Sequence, residues 1–543
     1  MSASSKKKLR KEQNSATMTE KQQKEKKEAK KLKISSIVFA VIMVIVLITG
    51  LTVMVIRGVQ GSGIIEKNTT ALTVSDHKLN SIVMNYYYMD TVTSAYDEWY
   101  SMYGDYTASY LSMIQLDVTK PLDEQTYYEG DMTWADYFMQ LATDRAIADY
   151  AVYDVAMAEN YTLSAEDQLN LDSAVNYKNL YALSGGYSDV DDYMVAFYGP
   201  GANRDSYYKY KEVSAIASAY YNDFADTLEY TAEELRAHEE GNEINYNSYT
   251  YASYYLGYNK FLDEGVTSPS NEQIEAAAAI AKVEATALID ATTIEELDEA
   301  IANLPVNAET TAASTKNKNI LYSSVNSVIR DWVADPARVE NEITMIANEV
   351  TSTDDAGNET TTINGYYVVM FQSANENNEP MANVRHLLIK PETTTDEEGN
   401  TIITDEAKAA AKAEAEGHLN TWKQGEATED SFSELVVKYS VDGSSVDGGL
   451  FEDIHPGSSY TENFLNWALD TNRKTGDTDV IETEYGYHVM YYVGDDELSY
   501  RDYMITNELL DADLDTWYNS IVDAVTVVDG DLSRIKTGLI LAQ

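Results

Sequence analysis

Apolar positions divide the chain into three textures. Between 34 and 56 runs ISSIVFAVIMVIVLITGLTVMVI, 23 residues without a charge. At about 1.5 Å per helical residue this crosses a hydrocarbon core of roughly 30 Å, which predicts one transmembrane helix. A cleaved signal peptide is the weaker reading, since its apolar stretch is roughly 7–15 residues and ends at small residues. The arm before it, 1–33, holds 12 Lys/Arg against 4 Glu. Basic flanks mark the cytoplasmic side, so the chain after Arg57 is expected outside a single-pass cell-membrane anchor. A linker, 57–70, follows.

Residues 71–240 repeat apolar and Tyr positions at helical spacing, as in Tyr137, Leu141, Ala146 and Tyr150. Start signals stand at Thr133-x-x-Asp136, Ser164-x-x-Asp167 and Thr231-x-x-Glu234. Tyr86-Tyr87-Tyr88 and Tyr207-Tyr208-x-Tyr210 read as helix core; as a surface they would offer apolar area with a polar tip to unfolded peptide. From about 245 short Tyr/Val-rich strands alternate with helices, and an internal repeat emerges. Asp331-Trp332-Val-Ala-Asp335-x-x-Arg338 matches Asn466-Trp467-Ala-Leu-Asp470-x-x-Arg473, and the Gly-Tyr strand from Gly365 matches that from Gly486. Upstream of each pair stand a strand (249–258 or 384–390), an Ala-rich helix (271–290 or 405–424) and a second short helix (294–303 or 431–438). One unit is duplicated, with helices packed on a small sheet. A last amphipathic helix, 497–526, needs an apolar partner, and the helical region supplies one.

The 543 residues carry 39 Lys/Arg against 90 Asp/Glu and no Cys. Beyond position 33 the count is 27 basic against 86 acidic, a field that repels nucleic acid and anionic lipid. Without Cys there are no disulfides, thiolate nucleophiles or thiolate metal sites, which fits an outer domain of a Gram-positive cell that does not rely on disulfides. The six His include no pair at i+4 around a Glu, and the acidic turns near 354 and 396 lack the spacing of a calcium loop. No metal is expected.

Val384-Arg-His386-Leu-Leu-Ile-Lys390, then Tyr439-Ser440-Val-Asp442, Gly448-Gly449-Leu450-Phe451, Phe464 and Thr483-Glu-Tyr-Gly486-Tyr-His488 follow one another over 383–494. In order and spacing this resembles the parvulin (PpiC, rotamase) family of peptidyl-prolyl isomerases. The resemblance implies a four-stranded antiparallel sheet with helices, cis–trans isomerisation of X-Pro bonds, and no cofactor. It implies a polar cluster of His386, Asp442, Thr483 and His488, and a proline pocket walled by Leu450, Phe451, Tyr460 and Phe464. The stretch 457–464 is one residue longer than usual and the Gly-Gly-Leu-Phe loop is shortened.

With its helical body and anchor, the outer chain resembles extracytoplasmic foldases of the PrsA/SurA type. Its expected partners are unfolded or newly secreted polypeptides, with a homo-oligomer left open. The fold expected is α+β: a transmembrane helix, a helical body at 71–240, two inserted parvulin-like units at 245–373 and 383–494, and a C-terminal segment, 497–543, closing on the body. The first unit carries Tyr367 where the second has His488, and no His in its first strand, so it reads as a degenerate copy. A non-catalytic holdase with a vestigial site is the alternative. After Lys390 the chain turns acidic, which disfavours phosphorylated substrates.

Overall fold

The computed structural model describes residues 30, 61–308, 311–353, 357, 359–395 and 400–541. The apolar span 34–56 lies outside them, and no helix among the described residues is long and apolar enough to cross a membrane. Two compact units divide the chain: one formed by the chain up to Leu228 and from Asp513 on, the other by Glu229–Ala512.

The first unit is built on the helices Ser81–Tyr103, Trp134–Ala158, Ala165–Ser184, Val190–Tyr198 and Arg204–Ala225. Thr133 and Ser164 cap their helices as expected, each accepting the backbone N–H three residues on. The region does not begin helical, however. A hairpin of β1 (Thr70–Val74) and β2 (His77–Asn80) precedes the first long helix. The strand Val527–Asp529 pairs with the outer side of β1. The supposed linker is also structured in part, with a short helix over Ile64–Asn68. The tyrosine stripes are core: Tyr86, Tyr87 and Tyr88 are fully buried, and Tyr207 and Tyr210 nearly so. Their hydroxyls find partners, as buried Tyr requires. Tyr87 donates to Asp149, and Tyr198, Tyr207 and Tyr210 all donate to the carboxylate of Asp90.

The helix capped by Thr231, Ala232–Glu239, belongs to the second unit, because Leu235 packs with Tyr246 and Ile505 there. The C-terminal helix, Tyr500–Asp523, was expected to pack on the helical body, and only its second half does. Trp517, Tyr518 and Ile521 lie against Val155, Tyr220 and Tyr221, whereas Ile505 serves the sheet-bearing unit.

Two four-stranded antiparallel sheets make up the rest of that unit. The first contains β3 (Ser248–Gly257), β4 (Thr315–Leu321), β5 (Ile343–Thr353) and β6 (Glu359–Asn375), in the order β4-β3-β6-β5. The second begins with β7 (Pro380–Ile389), which a small hairpin of β8 (Thr394–Thr395) and β9 (Thr401–Ile402) follows. It then uses β10 (Leu450–Ile454), β11 (Thr478–Thr483) and β12 (Gly486–Ser499), in the order β10-β7-β12-β11. In both sheets the first strand is central, the second flanks it, and the fourth separates it from the third. Two helices follow the first strand in each case, Asn271–Leu288 with Ile294–Ala302 and Asp405–Gln424 with Glu429–Tyr439. The repeated Trp/Arg pairs have the same use: Arg338 lies 5.0 Å over the Trp332 ring and Arg473 lies 3.9 Å over that of Trp467.

Strand alternation gives the second sheet two faces. Leu387, Ile389, Val489 and Tyr491 pack against the two helices through Ala415, Leu419, Phe432 and Val436. Val384, Met490 and Tyr492 face the other way, onto Phe464 and Trp467 of the helix Glu462–Ala468.

Candidate active site

His386 falls between Val384 and Leu388 on β7, so period two places its ring on the Phe464 face. His488 pairs with Leu388 on the neighbouring β12, and His386 pairs with Met490, which makes the two imidazoles diagonal neighbours on one face. Their rings lie 5.1 Å apart at 20°, with the two Nδ1 atoms 2.9 Å from each other. Both histidines are buried. On the far side, His488 Nε2 lies 2.8 Å from the Thr483 hydroxyl, and His386 Nε2 lies 3.3 Å from Ser444 Oγ and 3.5 Å from Asp442 Oδ1.

The Tyr-Ser-x-Asp turn is tied to β7 by its backbone. Ser440 Oγ accepts from the Leu388 N–H, and the Val441 N–H donates to the Leu388 carbonyl. Asp442 then caps a short turn, accepting from the Ser444 N–H at 2.9 Å and the Ser444 hydroxyl at 2.6 Å. Gly448 and Gly449 both lie at positive φ, 67° and 68°, and return the chain to β7. A side chain at Gly449 would collide with the His386 carbonyl, which accounts for the Gly-Gly step.

The carboxylate sets the direction of this chain of hydrogen bonds, because it can only accept. Ser444 donates to Asp442, so its oxygen is free to accept from His386 Nε2–H. His386 Nδ1 then accepts from His488 Nδ1–H, and His488 Nε2 accepts from Thr483 O–H. The assignment follows from donor and acceptor capacity and leaves every ring nitrogen partnered. Electrostatics agrees with two neutral rings. Burial lowers the pKa of His386, with Asp442 opposing, and lowers that of His488 to about 4, helped by its neighbour His386. Burial pushes Asp442 up, but the hydrogen bonds from Ser444 and the contact with His386 outweigh it, and its pKa is lowered.

Beside the relay lies a cavity of about 290 Å³, lined by His386, Asp442, Phe451, Tyr460, Phe464 and His488, with Ser459, Thr461, Glu484 and Tyr485 at its margins. At roughly 30 Å³ per water it has room for about ten, enough for one small ring and the backbone around it. Aromatic edges and faces form its floor. Phe451 stacks on His386 at 4.7 Å, Phe464 meets both imidazoles edge-on at 5.6 and 5.9 Å, and Tyr460 lies 5.2 Å from Phe451 and 5.0 Å from Phe464.

Seven of the eight expected residues therefore meet here. Leu450 does not: it pairs with Arg385, whose side chain points to the opposite face from His386, and alternation carries Leu450 with it. Phe451, paired with Val384, is the wall. Ser444 was not singled out from sequence, although an Asp with Ser two residues on is a turn pattern that could have flagged it. Thr461 was also overlooked; its buried hydroxyl has no hydrogen-bond partner among the described residues.

Residues 386–494 match the rotamase family described as the PPIC-type PPIASE domain. That stretch is thus a parvulin-type domain of the chain, and the site around His386, Asp442 and His488 lies within it. No curated protein matches the chain. Solved structures similar to it include the peptidylprolyl isomerase PrsA from Bacillus anthracis, 18% identical over 27% of this chain and 59% of that one, with a TM-score of 0.17. PrsA from Bacillus subtilis is 23% identical over 26% of this chain and 48% of its own, with a TM-score of 0.18. A chain from a study of two SurA-like chaperones of Campylobacter jejuni is 21% identical over 26% and 51%, with a TM-score of 0.16. The match thus spans about half to three fifths of these proteins.

Proposed function

We propose that this chain is a membrane-anchored extracytoplasmic foldase that isomerises X-Pro bonds in newly secreted polypeptides. The 383–494 unit is its catalytic part, and 245–373 is a degenerate copy of the same unit. The observation that carries the reading is the relay Thr483–His488–His386–Ser444–Asp442 beside an aromatic pocket of single-ring size. Amide resonance opposes rotation with a barrier of about 18–20 kcal/mol. A catalyst must hold the twisted amide, whose conjugation is lost, more tightly than either planar isomer. Phe451, Tyr460 and Phe464 grip the proline ring, while the neutral imidazole pair and the Asp442 carboxylate favour the redistributed charge of the rotating amide. No covalent step is needed.

Anchoring rests on the uncharged run 34–56 and the basic arm before it. Protease added to wall-less cells should remove everything after Arg57; protection of that part would refute the topology. For the enzyme, the test is isomerisation of Ala-Xaa-Pro-Phe peptides by the full chain, with Xaa varied. Acceleration over the uncatalysed rate supports the reading, and none refutes it.

One observation favours a second, holdase role. Tyr100, Met102, Tyr106 and Met113 are 58%, 63%, 77% and 69% exposed. Tyr100 also lines a cavity of about 630 Å³ with Tyr96, Leu111 and Val118, and the other three are neighbours of its lining residues in sequence. Slower aggregation of an unfolded client, lost when Tyr106 and Met113 are changed to Ser, is the result expected of a holding surface.

A further inference from the structure

The loop from β10 to the helix Glu462–Ala468 supplies Ser459, Tyr460 and Thr461 to the pocket and sets up Phe464 behind them. Its internal bonds are local. His455 N–H donates to Ser458 Oγ at 3.0 Å, Ser458 N–H to the His455 carbonyl at 2.9 Å, and Gly457 N–H to His455 Nδ1 at 3.2 Å. These shape the loop's tip without fixing where it stands over the pocket. Within the catalytic unit Tyr460 packs on Phe451 and Phe464, and Asn463 donates to the Glu482 carbonyl; three further contacts reach the loop and its helix from outside that unit. Asn319 of β4 donates its Nδ2–H to the Pro456 carbonyl at 3.1 Å, and Lys318 Nζ lies 3.0 Å from Glu462 Oε1. His455 stacks on Tyr500 at 3.6 Å and 9°.

Independent backbone evidence points to the same two residues. Between the pairs Tyr249↔Ile320 and Tyr251↔Asn317 the register shifts, so Lys318 and Asn319 together oppose the single residue Thr250. That is a β-bulge, a device that re-aims side chains out of a ladder. Asn319 takes its left-handed corner, φ 51°, a conformation Asn tolerates better than other side chains. The corner is fixed by the bond from its N–H to Thr250 Oγ1. The side chains re-aimed by this bulge are the two that hold the pocket loop.

We propose that Asn319, seconded by Lys318, is a positioning residue for the proline pocket, so that the sheet without histidines holds the binding wall of the sheet that has them. This rests on the isomerase reading for its kinetic consequence, though not for its structural one. A loosened loop leaves only a fraction of molecules with Tyr460 and Phe464 in place, which raises apparent KM by the inverse of that fraction and leaves turnover of the bound complex alone.

The test uses the full chain with Asn319→Asp, which keeps the size and the left-handed tolerance but sets a carboxylate against the Pro456 carbonyl. Asn319→Gly, which frees the backbone and removes the amide, is the second variant. KM should rise about two- to tenfold in each, the fold-change of one net hydrogen bond, with kcat within twofold of the parent. Hydrogen exchange should quicken in the 455–461 amides and not in β7 or β12. A general loss of folded protein would instead lower kcat at constant KM and quicken exchange throughout, and would overturn the proposal. Unchanged KM and loop exchange would overturn it as well. Should the parent itself not isomerise, the functional reading falls, and loop exchange alone decides the positioning role.

Discussion

Replacing Thr483 by Val takes one oxygen from the relay and little else. The hydroxyl lies 2.8 Å from His488 Nε2, and His488 is 6% exposed, so water does not readily take its place. In the tautomer set by Asp442, this nitrogen is an acceptor, and Val leaves it unpaired. A buried polar group without a partner costs about 1–3 kcal/mol. At tenfold per 1.4 kcal/mol, the unit's opening equilibrium rises about 5- to 150-fold. The second loss, the Tyr485 N–H that donates to Thr483 Oγ1, adds little because that residue is exposed. Native-state hydrogen exchange of β7 and β12 amides reads the change directly, since those central strands exchange through the larger openings. Thr483→Ser keeps the oxygen and should stay near the parent. If Thr483→Val exchanged at the parent's rate, the hydroxyl would hold no part of the relay and the proton order derived from it would fall.

Acid should weaken the unit before it protonates the carboxylates. His488 is depressed to about 4 from 6.5, so its contribution is whole above about pH 6.5 and is lost as pH falls towards 4, up to about 3 kcal/mol at 1.36 kcal/mol per unit. Urea midpoints should decline over that window, less steeply in His488→Gln; equal slopes would contradict buried neutral imidazoles. Arg501→Leu should destabilise the sheet-bearing unit by about 3 kcal/mol, because it leaves the Glu239 carboxylate, 2.6 Å away, without its buried partner. Arg501 also donates to Asn247, Glu243 and Glu376, and an unchanged urea midpoint would show these bonds to be dispensable.

Local chemistry was the most legible level. The Thr133, Ser164 and Thr231 caps were readable because one side chain and one N–H three residues on decide a helix start. The Trp332/Arg338 and Trp467/Arg473 pairs were readable because they keep their spacing, and the two sheets that carry them share one strand order. Long-range pairing was not. Nothing local announces that Val527–Asp529 joins β1, or that Arg501 reaches Glu239. Leu450 was misassigned because its face depends on where the Gly448-Gly449 turn releases the chain into β10, and one residue of register reverses every side chain. The tyrosine runs read as helix core and are core, but the sequence does not show that carboxylates from other helices, Asp90 and Asp149, satisfy their hydroxyls and let them sink. Asn319 was invisible for a similar reason: its role exists only once the two sheets are folded side by side in one unit.

The central claim is that this relay and pocket turn X-Pro bonds rather than merely hold a sheet together. The direct measurement is the isomerisation rate of the full chain beside its Asp442→Ala and Phe464→Ala variants, with folding checked by exchange of β7 amides. Asp442 terminates the relay and both residues line the cavity. The account predicts two folded proteins that both isomerise more slowly than the parent, Phe464→Ala through weaker grip on the ring and Asp442→Ala through the charge it no longer offers the rotating amide. Two folded variants as fast as the parent would contradict it and leave the site as architecture.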